Sequence, residues 1–305
     1  MTEKKKGFLF RYSDTPLRVM DIVCVGYLGL IGFLLIFFHK AVDSWPLYVL
    51  IHTSLVFAVL ELVRAGEKHP RNTILWFFRT FYPITIFLFG WSEVNTIVRM
   101  FFGNFWFTDP AIVMDKFIFG VHPSVWCQQF TSPILDEIMG FFYGSYYLFL
   151  PSVVLFLYIK GKREETLAVF SFLSVTLMSN YFLFYLLPTL SPMMAGSLAH
   201  LHTKTFTGYF FMKAILAIQS KAGIAGGAFP SSHIAEAFVL VLAALRYEKK
   251  LGLVLLPVSF GVAVSTVYLG YHHAVDPLSG FLWGGICYIV TLKLLKRRKE
   301  DPLSV

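Results

Sequence analysis

Charge is scarce in this chain. Only 14% of its 305 residues are Asp, Glu, Lys or Arg, against roughly 25% in a soluble domain. That shortfall excludes an ordinary water-soluble globule. Cysteine is scarce too: Cys24, Cys127 and Cys287 are scattered, so neither a disulfide framework nor a cysteine metal site is expected. No internal repeat or low-complexity stretch interrupts the chain, which argues for a single integrated domain. No small-residue cleavage site follows the first long apolar run, so no cleavable signal peptide is expected.

What is present is apolar length. Hydrophobic residues make up 56% of the chain, and runs long enough to cross a bilayer core of about 30 Å recur along it. The expected fold is an all-α polytopic membrane protein with about eight transmembrane helices. They fall at 20–39, 45–63, 75–98, 137–159, 166–187, 230–246, 251–269 and 277–295. Helices are required because lipid offers no partner to an unpaired backbone group, and Pro83, Pro151 and Pro257 are tolerated inside them. Two long connections remain, 99–136 and 188–229. Within them, segments 115–130 and 207–220 mix aromatics with polar groups and read as interfacial helix-turns.

The formal charge of +8 has a topological reading. Most Lys and Arg fall in alternate loops on one side. Lys4, Lys5, Lys6, Arg11 and Arg18 precede the first span, Arg79 lies beside the third, and Lys296, Arg297, Arg298 and Lys299 follow the last. The positive-inside rule then puts both termini in the cytoplasm and both long connections at the extracytoplasmic face. The bilayer itself, through its anionic headgroups, accounts for the basic excess; no nucleic-acid partner is needed.

Two histidine motifs reach that outer face together. The first is GGAFPSSHIAEAF, 226–238, with His233 at the mouth of the sixth span. An ionisable residue entering a membrane is a functional hypothesis by default. The second is STVYLGYHHAVDPLSG, 265–280, between the seventh and eighth spans. His272 and Asp276 are four apart and share a helical face. A carboxylate on Nδ1 fixes the tautomer and leaves Nε2 a free lone pair, which makes it a nucleophile. His233 can then protonate a leaving oxygen as general acid. Ser231, Ser232 and the N–H groups opening the sixth helix form an anion site. Together these are the parts of a phosphoryl-transfer site. An imidazole nucleophile requires neither metal nor cofactor. His273, three before Asp276, is a second candidate for the same carboxylate. Glu236 shares a helix face with His233 and either tunes it or pairs with a neighbour. Tyr268 and Tyr271 read as interfacial belt residues, and Tyr143, Tyr146 and Tyr147 as packing between helices.

PSSH at 230–233 resembles the PSGH motif of the type 2 phosphatidic acid phosphatase superfamily. Ser265 to Asp276, S-x6-H-x3-D, is similar to that family's S-R-x5-H-x3-D. The resemblance implies that His272 becomes phosphohistidine, that Asp276 orients it, that His233 is the general acid and that Ser232 helps hold phosphate. It also implies a six-helix core, spans three to eight, behind two extra N-terminal helices. On that reading residues 1–98 hold the N-terminal tail and first three spans, 99–295 the catalytic region and 296–305 a basic cytoplasmic tail.

The chain departs from the family at its cations. The K-x6-R-P motif has one counterpart, FYLLPTLSP at 184–192, with Phe184 and Ser191 in place of Lys and Arg, and Thr266 replaces the Arg of the third motif. Ser191 and Lys221 are the expected phosphate-binding substitutes, with Lys213, Lys116 and Arg99 as further outer cations. The inositol phosphorylceramide synthase-like branch drops the same cations. Asp115, Phe119, Gly120, Pro123 and Trp126 are similar to its outer segment. A phosphodiester carries one charge where a phosphomonoester carries nearly two, so fewer cations suit diester transfer. Three functions follow: a lipid headgroup phosphotransferase with an alcohol acceptor, a lipid phosphate phosphatase with water as acceptor, and a transporter or inactive lipid-binding protein on the same scaffold.

Overall fold

A computed structural model describes residues 16–303. Lys4, Lys5, Lys6 and Arg11 of the basic N-terminal stretch lie outside the described residues. The chain runs α1 (Val19–Phe37), α2 (Trp45–Lys68), α3 (Thr73–Ile97), α4 (Thr108–Phe119), α5 (Pro123–Trp126), α6 (Pro133–Ile159), α7 (Arg163–Leu186), α8 (Gly196–Ala199), α9 (Phe210–Ala222), α10 (Ser232–Tyr247), α11 (Lys249–Tyr268) and α12 (Val275–Arg298). No strand occurs among the described residues; one bridge pairs Thr189 with Gly227.

Among the described residues, seven helices are long and apolar enough to span a membrane: α1, α2, α3, α6, α7, α11 and α12. The expected sixth span differs. It is α10, which begins at Ser232 and has only 16 residues. At about 1.5 Å per residue it is shorter than a bilayer core is thick. It need not face lipid, because α6, α7, α11 and α12 pack around it. Its buried residues include Ile234, Ala235, Leu240 and Val241. The two interfacial segments are helical as expected, in α4–α5 and α9.

Local chemistry sets the helix ends. Asn72 caps α3 by accepting from Ile74 N and Leu75 N at 3.1 Å each. Ser132 caps α6 through Leu135 N, with Pro133 at the first helical position, where a missing N–H costs nothing. The N-terminus of α9 is capped from another helix: Glu137 of α6 accepts from the N–H groups of Tyr209, Phe210, Phe211 and Met212. One carboxylate thereby satisfies donors that a helix end leaves orphaned.

α10 and α12 approach closely because α12 carries glycine where they meet. A Cβ on Gly280 would stand 2.7 Å from the Ser231 carbonyl oxygen, and one on Gly284 2.7 Å from that of Ala235. Small residues four apart let membrane helices touch backbone to backbone. This contact brings PSSH beside the start of α12.

Arg79 is not a loop cation. It lies in α3, buried, and pairs with Asp21 of α1 at 2.5 and 2.9 Å, with Tyr82 OH donating to the same carboxylate. The pair ties the N-terminal helices to the bundle. At the end of the bundle away from the histidines, surface cations are paired as well: Arg18 with Glu164, Lys160 and Lys162 with Glu248, Arg246 with Asp301.

Candidate active site

Three helix ends and the interior of α6 supply the site. The α11–α12 connection presents His272, the first turn of α12 presents Asp276, and the first turn of α10 presents His233. α6 packs Tyr143 and Tyr146 against them. His272 Nδ1 lies 3.2 Å from Asp276 Oδ2, and its Nε2 lies 3.3 Å from Ser231 Oγ. The rings of His272 and His233 are 5.8 Å apart, centre to centre. Both border a cavity of about 420 Å³ that also meets Trp91, Tyr143, Ser191 and Gln219. Asp276 is fully buried and His272 nearly so. Burial pulls the His272 imidazole down to about 4, with the Ala228 carbonyl acting weakly the other way. A neutral ring at ordinary pH follows, which is the form that carries a lone pair.

The two motifs are joined by backbone. Ser231 N donates to the Asp276 carbonyl at 3.1 Å. The segment holding Ser191 is bonded to both: Thr189 N to the Gly226 carbonyl, Ala228 N to that of Thr189, and Met193 N to that of Gly270. Ser231 occupies the cap position of α10 but makes no side-chain cap bond. Its hydroxyl faces His272 instead, so the PSSH serine is not the ordinary helix cap its position suggests. Ser232, one residue on, borders a second, more apolar cavity.

His273 is separated from His272 by its surroundings. Its backbone N–H donates to Asp276 Oδ2 at 2.8 Å, but its ring reaches the Leu190 carbonyl at 3.2 Å and lies 4.0 Å from Asp115. It borders neither cavity. Burial lowers its affinity for a proton.

Lys221 is not at the cavity. It is exposed on the last turn of α9, while Gln219, two residues earlier, points inward. Residues two apart on a helix face nearly opposite ways. Lys116 and Lys213 are exposed, and Arg99 stacks over Trp106 at 5.6 Å. Among the described residues no Lys or Arg borders either cavity. His200 and His202, two residues apart on the same outer connection, face different surroundings: His200 is exposed, and His202 is held by the Leu198 carbonyl and Ser124 Oγ. Glu93 pairs internally, accepting from Tyr27 OH at 2.7 Å with His52 Nε2 at 3.2 Å.

Several site neighbours carry no sequence signature. Tyr143 OH is 3.5 Å from His233 Nε2 and itself receives a bond from Gln219. Tyr146 and Trp91 pack on the His233 ring at 4.5 and 5.7 Å. Tyr268 is no belt residue; it is buried and donates to Asp136, which also accepts from Thr207 N. Asp115 of α4 accepts from Ala274 N and Val275 N at 2.9 Å each. It thereby pins the histidine loop and caps α12. Its burial raises its own proton affinity.

Residues 113–290, more than half of the chain, match the PAP2 superfamily. The chain belongs to that superfamily. The matched region begins in α4, so α1, α2 and α3 lie outside it, yet α3 supplies Trp91 to the PAP2 site. A PA-phosphatase related-family protein of Dictyostelium discoideum is 31% identical over 107 residues, covering 33% of this chain and 19% of that protein. The chain thus matches about a fifth of that curated relative's length. No solved structure matches it. Membership in the PAP2 superfamily agrees with the all-helical architecture and its membrane-spanning helices.

Proposed function

We propose that this PAP2-superfamily protein transfers a phosphoryl group from a lipid-linked phosphate through a phosphohistidine at His272. The His272–Asp276 couple facing His233 across one cavity carries this reading. The Nε2 lone pair of His272 attacks phosphorus, and the bond from phosphorus to the leaving oxygen breaks. Protonated His233 gives its proton to that oxygen. Asp276 stabilises the ring once it carries phosphorus. The acceptor then attacks the phosphohistidine, neutral His233 removes the acceptor's proton, and the P–N bond breaks. Both histidines return to their starting states. Ser231 turns from His272 Nε2 to a phosphate oxygen, and Ser191 binds alongside it, while Ser232, expected to share that role, borders the neighbouring cavity.

The preferred acceptor is an alcohol, which makes the protein a headgroup phosphotransferase of the inositolphosphotransferase-like kind. The support is the cavity lining, whose polar groups besides the histidines are Thr189, Ser191, Tyr143, Tyr271 and Gln219, with no Lys or Arg among the described residues. A singly charged phosphodiester fits such a lining better than a phosphomonoester. Water as acceptor, giving a lipid phosphate phosphatase, is the second reading, favoured by the name of the Dictyostelium relative. The basic residues gathered at the opposite end support a cytoplasmic location for both termini and an extracytoplasmic site.

The test is turnover of purified protein on a panel of lipid phosphomonoesters and phosphodiesters, read by mass spectrometry. Wild type and His272→Ala run side by side, with and without inositol, glycerol or ceramide. A new headgroup-bearing product that needs the acceptor establishes transfer. Free phosphate from a monoester, indifferent to acceptor, establishes the phosphatase. No His272-dependent product from any lipid refutes both.

A further inference from the structure

Beside the phosphate cavity lies a second one of about 360 Å³, between α3, α6, α7, α9 and α10. Phe87, Leu88, Leu150 and Leu177 make it apolar. The two cavities share Trp91, Gln219 and His233. A lipid whose phosphate sits at His272 has this space for the part of its body next to the phosphate. One wall is out of character: Glu236 of α10, 6% exposed, sits one helical turn from His233. One of its oxygens accepts from Tyr146 OH at 2.6 Å. No Lys, Arg or His pairs with it among the described residues. Its other oxygen is without a hydrogen-bond partner there, and it is not sealed among buried atoms. An acidic oxygen at the edge of an apolar cavity is costly unless something donates to it.

We infer that Glu236, held by Tyr146, is a specificity residue that accepts a hydrogen bond from a hydroxyl or amide N–H on the lipid, carried by the carbon next to the phosphate-bearing one. This rests on the proposed lipid-phosphate reading of the adjoining site. Tyr146 fixes the register, since its ring packs on His233 at 4.5 Å while its hydroxyl holds Glu236. The donor position is therefore one tyrosine ring away from the general acid. A lipid with only ester oxygens at that carbon brings acceptors against an acceptor.

The test uses a matched pair of probes, lysophosphatidic acid with its free 2-hydroxyl and its 2-O-methyl analogue. Binding is measured on full-length protein in nanodiscs by tryptophan fluorescence, with Trp91→Phe as signal control and His272→Ala as background so that turnover cannot blur Kd. The hydroxyl lipid binds about 3- to 10-fold tighter, the range for an ordinary hydrogen bond. Glu236→Leu weakens the hydroxyl lipid alone and erases the difference. Equal affinities in the His272→Ala protein overturn the inference without any further variant, as does a preference that survives Glu236→Leu or an equal loss for both lipids. The phosphohistidine reading fails separately, if His272→Ala still turns lipid over.

Discussion

Asp115 gives the sharpest test of how the site is built. It sits on α4, touches neither cavity, and bonds only the backbone that carries His272 towards Asp276. Asp115→Ala removes a buried carboxylate, orphans the N–H groups of Ala274 and Val275, and takes away the oxygen that stands 4.0 Å from the His273 ring. A hydrogen bond to a charged group is worth about 1.5–3 kcal/mol. Two of them set the loss at about 3 kcal/mol or more. Only the fraction felt at the reacting atoms slows chemistry. If all of a 3 kcal/mol loss falls there, kcat drops about a hundredfold, since about 1.4 kcal/mol is a factor of ten.

The split between kcat and KM separates positioning from collapse. Asp115→Ala lowers kcat by about 10- to 100-fold and leaves KM within a few-fold, because the lining of neither cavity changes. Asp115→Asn keeps one acceptor oxygen and loses less than Ala. The assay is turnover of whichever lipid the wild type accepts, with a melting curve on the same preparation. A variant that melts normally and keeps kcat within twofold refutes the clamp. A fall in kcat that tracks a fall in folded fraction refutes the positioning role.

His272→Ala and His233→Ala each abolish turnover, while His273→Ala keeps a measurable rate, because the His273 ring points to Leu190 and away from the cavity; the reverse ranking on product formation moves the nucleophile to His273. Turnover persists in EDTA, and loss with EDTA restored by Zn²⁺ or Mg²⁺ refutes an imidazole nucleophile acting without metal. In the proposed mechanism the nucleophile is neutral imidazole, and burial pulls His272 down to about 4, so the acid limb of kcat/KM assigned to it is expected well below the ordinary histidine value of 6.5; a His272-dependent limb at 6.5 contradicts its burial. Its folded-state value is depressed, so the unfolded chain binds the extra proton first, and His272 favours unfolding as pH falls from about 6.5 towards 4. Gly284→Leu drives a side chain into the Ala235 backbone and loses folded, monodisperse protein on size-exclusion chromatography, whereas Gly285→Leu, whose Cβ meets only Phe238 at 3.8 Å, is tolerated.

Much of the site was legible because its chemistry is local. His272 and Asp276 lie one turn apart, and PSSH is four consecutive residues. Counting spans then placed both at the same face. The span count included α10, which at 16 residues is shorter than the other spans. Its apolar residues look like a membrane crossing, but the other helices supply the apolar surroundings, so the length rule does not apply to it. The interhelical glycines, Gly280 and Gly284, were not read from the sequence, although they stand four apart in an apolar run. Lys221 was misplaced because the distance from a cation to a phosphate depends on which way α9 faces. Gln219, two residues earlier, takes the inward position.

The carboxylates were the illegible part, and their use has a common logic. Asp115, Asp136 and Glu137 each bond backbone N–H groups or a tyrosine from a segment far away in sequence. No periodicity or motif reports such a partner. Each sits where an irregular connection meets a helix end, and there the backbone donors are orphaned. Near a bilayer such donors have little water to turn to, so a carboxylate from a neighbouring helix both satisfies them and fixes the loop. α4 holds the His272 loop through Asp115, while α6 holds the start of α9 through Glu137, and with it Gln219 against Tyr143 and His233. On the proposed mechanism, the two long connections are therefore part of what sets the distance between the histidines. A Glu137→Ala exchange, some distance from either ring, follows as a perturbation of the general acid and not of the nucleophile. It leaves the phosphohistidine-forming step intact for a lipid with a good leaving group and slows one with a poor leaving group. Equal slowing of both places Glu137 outside the path to His233.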